Sequence, residues 1–181
     1  MTLFYTWFTS SPKIEGRILT LMTADWHSPE FGSEPKTGIF VYLYLINKRK
    51  NPVHILDYEL EYDVGNGVEK AMRVYGTRNI EQTSFNGKGF VVSIPNFKDK
   101  VIYSKNTPID YGSPIHGFAI FAKNEPSGHF SEKLTKLNII CIDAFGNRHV
   151  IKYDVNQEPN MHLLRDIADI EIKPNSNGIN K

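Results

Sequence analysis

Gly38-Ile-Phe-Val-Tyr-Leu-Tyr-Leu-Ile-Asn47 is apolar on both faces of a period-two pattern. Ile39, Val41, Leu43 and Leu45 point one way, and Phe40, Tyr42, Tyr44 and Ile46 point the other, because side chains alternate along a strand. A strand with no wet face belongs in the middle of a sheet, with something covering each side. The next apolar run, His54-Ile-Leu-Asp-Tyr-Glu-Leu-Glu-Tyr-Asp-Val64, alternates instead. His54, Leu56, Tyr58, Leu60, Tyr62 and Val64 share one face, while Ile55, Asp57, Glu59, Glu61 and Asp63 share the other. A slip of one residue would bury the acids, so the register is well specified.

The same period runs outward from this pair. Gly65-Asn-Gly67 supplies a tight hairpin turn, with Val68–Tyr75 returning and Lys70 facing the acids. Upstream, Ile14–Ala24 reads as a long strand, with Ile14, Gly16, Ile18, Thr20, Met22 and Ala24 on one face. Asp25–Thr37 is a loop. Downstream, Ile80–Phe85 and Phe90–Ile94 form a second hairpin around Asn86–Gly89. Lys100–Ser104 is a short strand. Ile115–Ala122 is a buried strand whose glycine and alanines suggest close packing. Leu134–Ala144 and Asn147–Asp154 make a third hairpin, with Gly146 as the left-handed residue of its turn. Met161, Leu164 and Ala168 fall at helical spacing around Glu158–Asp166, which is the one expected helix. Ile170–Ile172 adds a last strand. The expectation is an all-β, antiparallel two-sheet β-sandwich. A single domain covers residues 1–173, with 1–13 as an N-terminal strand or arm and 174–181 as a flexible tail.

Composition fits one domain with a real core: 181 residues, 40% hydrophobic and 23% charged. The 21 basic and 20 acidic residues are mixed along the chain, which speaks against a dedicated nucleic-acid binder. The single cysteine, Cys141, sits between isoleucines in a strand-like run and reads as a small core residue, compatible with a reducing compartment. No apolar run reaches the roughly 18–20 residues of a transmembrane helix. Met1–Phe8 lacks a basic n-region and a cleavage site, so it reads as a first strand rather than a secretory signal.

Val41-Tyr-Leu-Tyr-Leu-Ile-Asn-Lys-Arg-Lys-Asn-Pro-Val-His-Ile-Leu-Asp-Tyr-Glu-Leu-Glu-Tyr-Asp-Val-Gly65 resembles the strand–turn–strand of bacterial immunoglobulin-like β-sandwich proteins. Ser113–Ala122 (SPIHGFAIFA) and Asp143–Asn147 (DAFGN) extend the likeness. The resemblance covers about 60 residues and implies a fold, with no catalytic group. The chain has no Cys…Trp…Cys framework, so it does not resemble an antibody-type domain.

Candidate binding groups are few. The acids Asp57, Glu59, Glu61 and Asp63 make the most conspicuous polar feature. Alternate strand residues lie about 7 Å apart, too far for four carboxylates to share one ion. They read as a solvated strand face, or as a docking surface for a basic partner. Lys48, Arg49 and Lys50 form a basic turn. Trp26, in the loop that follows Ile14–Ala24, reads as an anchor for a contact or as a plug. The six histidines, His27, His54, His116, His129, His149 and His162, show no metal-ligand spacing. No phosphate loop, nucleophile elbow or catalytic triad can be picked out. The leading expectation is a non-enzymatic interaction domain without cofactor, binding a protein partner or a second copy through loops or a sheet edge. A carbohydrate-binding module using exposed aromatics is the alternative. A metal-dependent enzyme with a spatially assembled His/Asp site is a further one.

Overall fold

The computed structural model describes residues 13–26, 36–74, 82–86, 90–102, 108–123, 130–156, 165 and 171–174. Its strands are β1 (Ile14–Trp26), β2 (Lys36–Asn47), β3 (Ile55–Asp63), β4 (Val68–Arg73), β5 (Gln82–Asn86), β6 (Phe90–Pro95), β7 (Pro114–Lys123), β8 (Lys136–Asp143), β9 (Arg148–Tyr153) and β10 (Glu171–Pro174). All strand pairings are antiparallel. Seven strands form one sheet in the order β1-β2-β7-β4-β3-β8-β9, and β10-β6-β5 form a smaller one. The large sheet curls until β9 packs against β1, where Ile14 N lies 3.4 Å from a ring nitrogen of His149. The chain is therefore mostly β, with an antiparallel sheet nearly closed into a barrel-like shape. Among the described residues, helix is confined to single turns at Phe97–Lys100 and Phe130–Lys133, together with the isolated positions Ile102 and Arg165. None of it is long and apolar enough to cross a membrane.

Strand β2 lies where its two apolar faces require. It is flanked by β1 and β7. Ile39, Val41, Leu43 and Leu45 enter the barrel core with Leu60, Phe121, Ile139 and Cys141. Phe40 and Tyr42 belong to a second cluster outside the barrel, with Phe118, Ile120, Ile94, Phe97 and Val101. Each large side chain fully buried this way contributes about 1.5–3 kcal/mol. Cys141 is buried, as expected, and burial pushes its thiol far up from the ordinary range.

Two bulges revise the expected strand faces. In β1, Ile18 faces Leu43 and Thr20 faces Tyr42, which leaves Leu19 as an extra residue. The inward phase reverses there. Ile14, Ile18 and Leu21 pack into the barrel, while Leu19, Met22 and Ala24 pack outside it. In β3, Ile55 faces Asp143 and Asp57 faces Ile142, so Leu56 is the extra residue. Ile55 packs against the core in its place, and Leu56 is 64% exposed.

Other boundaries also move. Of the expected strand Lys100–Ser104, Lys100 ends the Phe97–Lys100 turn and Val101 makes a single bridge to Phe118, while residues 103 and 104 lie outside the described residues. β1 runs on through Trp26, paired with Lys36, so Trp26 ends a strand rather than sitting in a loop. β10 includes Pro174, the first residue of the expected tail. Of Glu158–Asp166 only Arg165 is described, and it is helical. The expected N-terminal arm before residue 13, and residues 175–181, lie outside the described residues.

Gly117 accounts for the small-residue signal in β7. A Cβ there would lie 2.6 Å from the carbonyl oxygen of Lys100 and 3.0 Å from Ile102 Cα. These are backbone atoms and cannot swing aside. Gly117→Ala is expected to lower the unfolding free energy by about 1–3 kcal/mol. Urea denaturation measures this, and an unchanged midpoint would mean that the 97–102 segment does not press on β7.

Candidate functional site

The outer face of β3 carries the acidic row, and the fold sets cations against it. Glu61 faces Lys70 across the β3–β4 ladder. Lys70 Nζ lies 2.9 Å from Glu59 Oε2 and 4.0 Å from Glu61 Oε1. Arg148, two strands away on β9, reaches across β8 to Glu59 with a two-point contact at 3.2 and 3.0 Å. Asp57 pairs with Arg73, whose guanidinium stands 5.6 Å from the centre of the Tyr58 ring. Asp63 turns inward on its own hairpin, accepting from the backbone N–H groups of Gly65 at 2.7 Å and Gly67 at 3.2 Å. Both glycines have positive φ, as this turn requires. The Asp57–Asp63 row is thus a cross-strand ion-pair face with its charges largely matched within the chain.

The basic turn belongs to a different structure, the loop end of the barrel. Buried Asn47 organises it, donating to the carbonyls of Asn51 at 2.8 Å and Ile109 at 2.9 Å and accepting from Arg49 N at 2.9 Å. Backbone hydrogen bonds tie the neighbouring loops together: Val53 with Ile109, Gly112 N to Asn47 O, and Ala144 N to His54 O. Lys48 N donates to Lys13 O at 2.9 Å, while its Nζ lies 3.9 Å from Glu15. Lys50 is exposed. On this tied framework Phe145 is 76% exposed and Tyr111 61% exposed, and the bulge residue Leu56 is exposed where β3 leaves the same end. Sequence reasoning passed over these three. The available signal was the aromatic inside Asp143-Ala-Phe-Gly-Asn147, where a tight turn leaves Phe145 no inward direction.

A third polar cluster closes the barrel. The Asp143 carboxylate is fully buried. It accepts from Phe145 N and Asn147 N at 2.9 Å each, from Asn147 Nδ2 at 2.9 Å, and from His149 Nε2 at 3.0 Å. Burial alone would raise its carboxyl. The donors from His149, Asn147 and Phe145 outweigh that and hold it below the ordinary value. On the outer cluster, the Tyr42 hydroxyl and His116 Nδ1 share a hydrogen bond at 2.8 Å, and burial pushes the phenol up to about 12.

The remaining candidates are separate. The Trp26 side chain, His27, His129 and His162 lie outside the described residues. His54 is exposed, His116 bonds Tyr42, and His149 bonds Asp143. Among the described residues, no three His, Cys, Asp or Glu side chains converge as a metal-ligand group. The chain matches no family model, no curated protein and no solved structure.

Hydrogen bonds from Arg148 and Lys70 hold the Glu59 carboxyl down to about 2, against an ordinary 4.5. A depressed folded value means the stabilisation is full above the ordinary value and fades as pH falls toward the folded one. The carboxylate is partly open to water, so solvent screening limits the effect. Glu59→Gln is expected to cost no more than about 1 kcal/mol at neutral pH. The gap should close as pH falls from 4.5 toward about 2. Urea midpoints of both proteins across that range measure it, and a constant gap would show that the pair contributes no pH-dependent stability.

Proposed function

We propose that this chain is a non-enzymatic interaction domain that grips a partner protein through the loop end of the barrel. The observation that carries this is the exposure of Phe145 and Tyr111 on loops held by their own hydrogen bonds, with Leu56 exposed at the bulge that begins β3. Water does not favour such side chains, and aromatic anchors are the side chains that dominate protein interfaces. Loops already ordered lose little entropy when they dock. Lys48 and Lys50 edge the same end, so the fitting partner presents apolar pockets beside acidic groups. The acidic face of β3 is less suited to the task, because Arg73, Lys70 and Arg148 already answer its carboxylates. For the finer architecture we favour an immunoglobulin-like two-sheet layering. The contact of Ile94, from β6, with the Phe40–Phe118 face supports it. A carbohydrate-binding alternative draws on the same two exposed rings, Tyr111 and Phe145.

Comparing the protein with its Phe145→Ser/Tyr111→Ser and Lys50→Glu variants tests this. A protein retained by the immobilised wild type should bind the aromatic double variant about 30-fold or more weakly, the loss of one hot spot of about 2 kcal/mol. The urea midpoint should stay within about 0.5 kcal/mol of wild type, as for surface changes generally. Equal retention by all three proteins would sink the proposal. So would an inert monomer in light scattering that retains nothing. Binding on a glycan array that disappears with the rings would transfer the site to the carbohydrate alternative.

A further inference from the structure

The two end strands of the large sheet, β1 and β9, are not ladder partners. They meet by packing, tightly enough that a Cβ on Gly16 would lie 2.8 Å from Ile151 Cδ1. At one end of this seam a side chain replaces the missing ladder bond. His149 Nδ1 accepts from Ile14 N at 3.4 Å, while His149 Nε2 lies 3.0 Å from the buried Asp143 carboxylate. A neutral imidazole carries one ring proton. With Nδ1 taking the Ile14 N–H, that proton sits on Nε2 and points at Asp143. We propose that His149 is a one-proton latch on the barrel seam, closing β9 onto β1 when neutral and releasing Ile14 when protonated.

The chemistry leaves one place for a second proton, because Nδ1 holds the ring's one available lone pair. Once protonated, Nδ1–H faces Ile14 N–H, and two donors stand where a hydrogen bond was. The contact to Asp143 becomes an ion pair at the same moment and strengthens. Protonation thus shifts the ring's attachment from β1 to the β8–β9 turn. The described groups around the ring fit this. From β8 come the Asp143 carboxylate and the neutral Cys141 thiol, the register partner of His149. From β3 comes Tyr58, which faces Cys141. Lys13 and Glu15 flank Ile14 and pair with each other at 2.9 Å, and Lys48 joins Glu15 at 3.9 Å. On β9 itself Arg148 is engaged by Glu59. Among these groups Asp143 alone forms an ion pair with the ring. The neighbouring Lys13 carbonyl accepts from Lys48 N on the β2 side of the strand, so that bond stays in place when Ile14 is released. The latch stands without the binding proposal, since its test uses the protein alone.

Histidine is the side chain whose charge changes between about pH 5 and pH 8. Amide exchange read by NMR, corrected for intrinsic rates, compares Ile14 with Val41 in the middle of β2. The Ile14 protection relative to Val41 should fall about tenfold or more between about pH 7.5 and the lower pH at which imidazole nitrogen spectra show a proton on both ring nitrogens of His149. Imidazole nitrogen spectra at the higher pH should show His149 with its proton on Nε2. His149→Asn keeps an acceptor near the Nδ1 position and cannot titrate, so its protection ratio should stay flat. A pH-independent wild-type ratio, an equal fall in the variant, or a proton on Nδ1 at the higher pH would each overturn the latch. Where the variant does not fold, the two wild-type measurements decide.

Discussion

Strand β2 has no face left for water, and the fold is arranged around that fact. Ile39, Val41, Leu43 and Leu45 need an interior, and the barrel supplies one from β3, β7 and β8. Phe40 and Tyr42 need a second cover, which the β6 residue Ile94 and the turn residues Phe97 and Val101 provide. The neighbours of β2 share its condition. β7 sends Ala119 and Phe121 inward and Phe118, Ile120 and Ala122 outward. The segment that covers them comes so close that position 117 has room for glycine only. β3 and β9 keep one wet face each, and the ion pairs stand there.

Much of this was legible in the alternation of residues. Gly38–Asn47 as a central strand, the Gly65–Gly67 and Gly146 turns, Lys70 opposite the acids and the burial of Cys141 all follow from local pattern, and all are present. What escaped was non-local. A bulge is defined by the partner strand, so nothing within Ile14–Ala24 marks Leu19 as the extra residue. The same holds for Leu56, whose exposure follows from the offset between Ile55–Asp143 and Asp57–Ile142. Curling of the sheet was equally hidden, because it depends on Gly16 meeting Ile151 from the other end of the chain.

The candidate site divides along the same line. The acids of β3 could be read from the sequence, but their neutralisation could not. Arg148 lies 89 positions from Glu59, and only the β3-β8-β9 order brings them together. Charge counted along a chain therefore says little about charge presented to a partner. A carboxylate that holds two cations at close range attracts a third only weakly, while its solvation has already been partly given up.

The groups that hold this chain together are distinct from those it leaves exposed. The Asp57–Asp63 row, Asn47 and Asp143 each spend their hydrogen-bonding capacity inside the fold: across strands, across loops, or into a turn. Such groups specify register and closure, since any slip would leave a buried donor or acceptor unmet. Phe145, Tyr111 and Leu56 do the opposite. They sit on backbone that these polar groups have ordered, yet each leaves most of its side chain in water. Removing their apolar atoms takes little from the folded protein, because little of that surface was buried in the first place. Any free energy these side chains yield must come from being covered by something else, and the polar framework beneath them keeps the cost of ordering low when that happens.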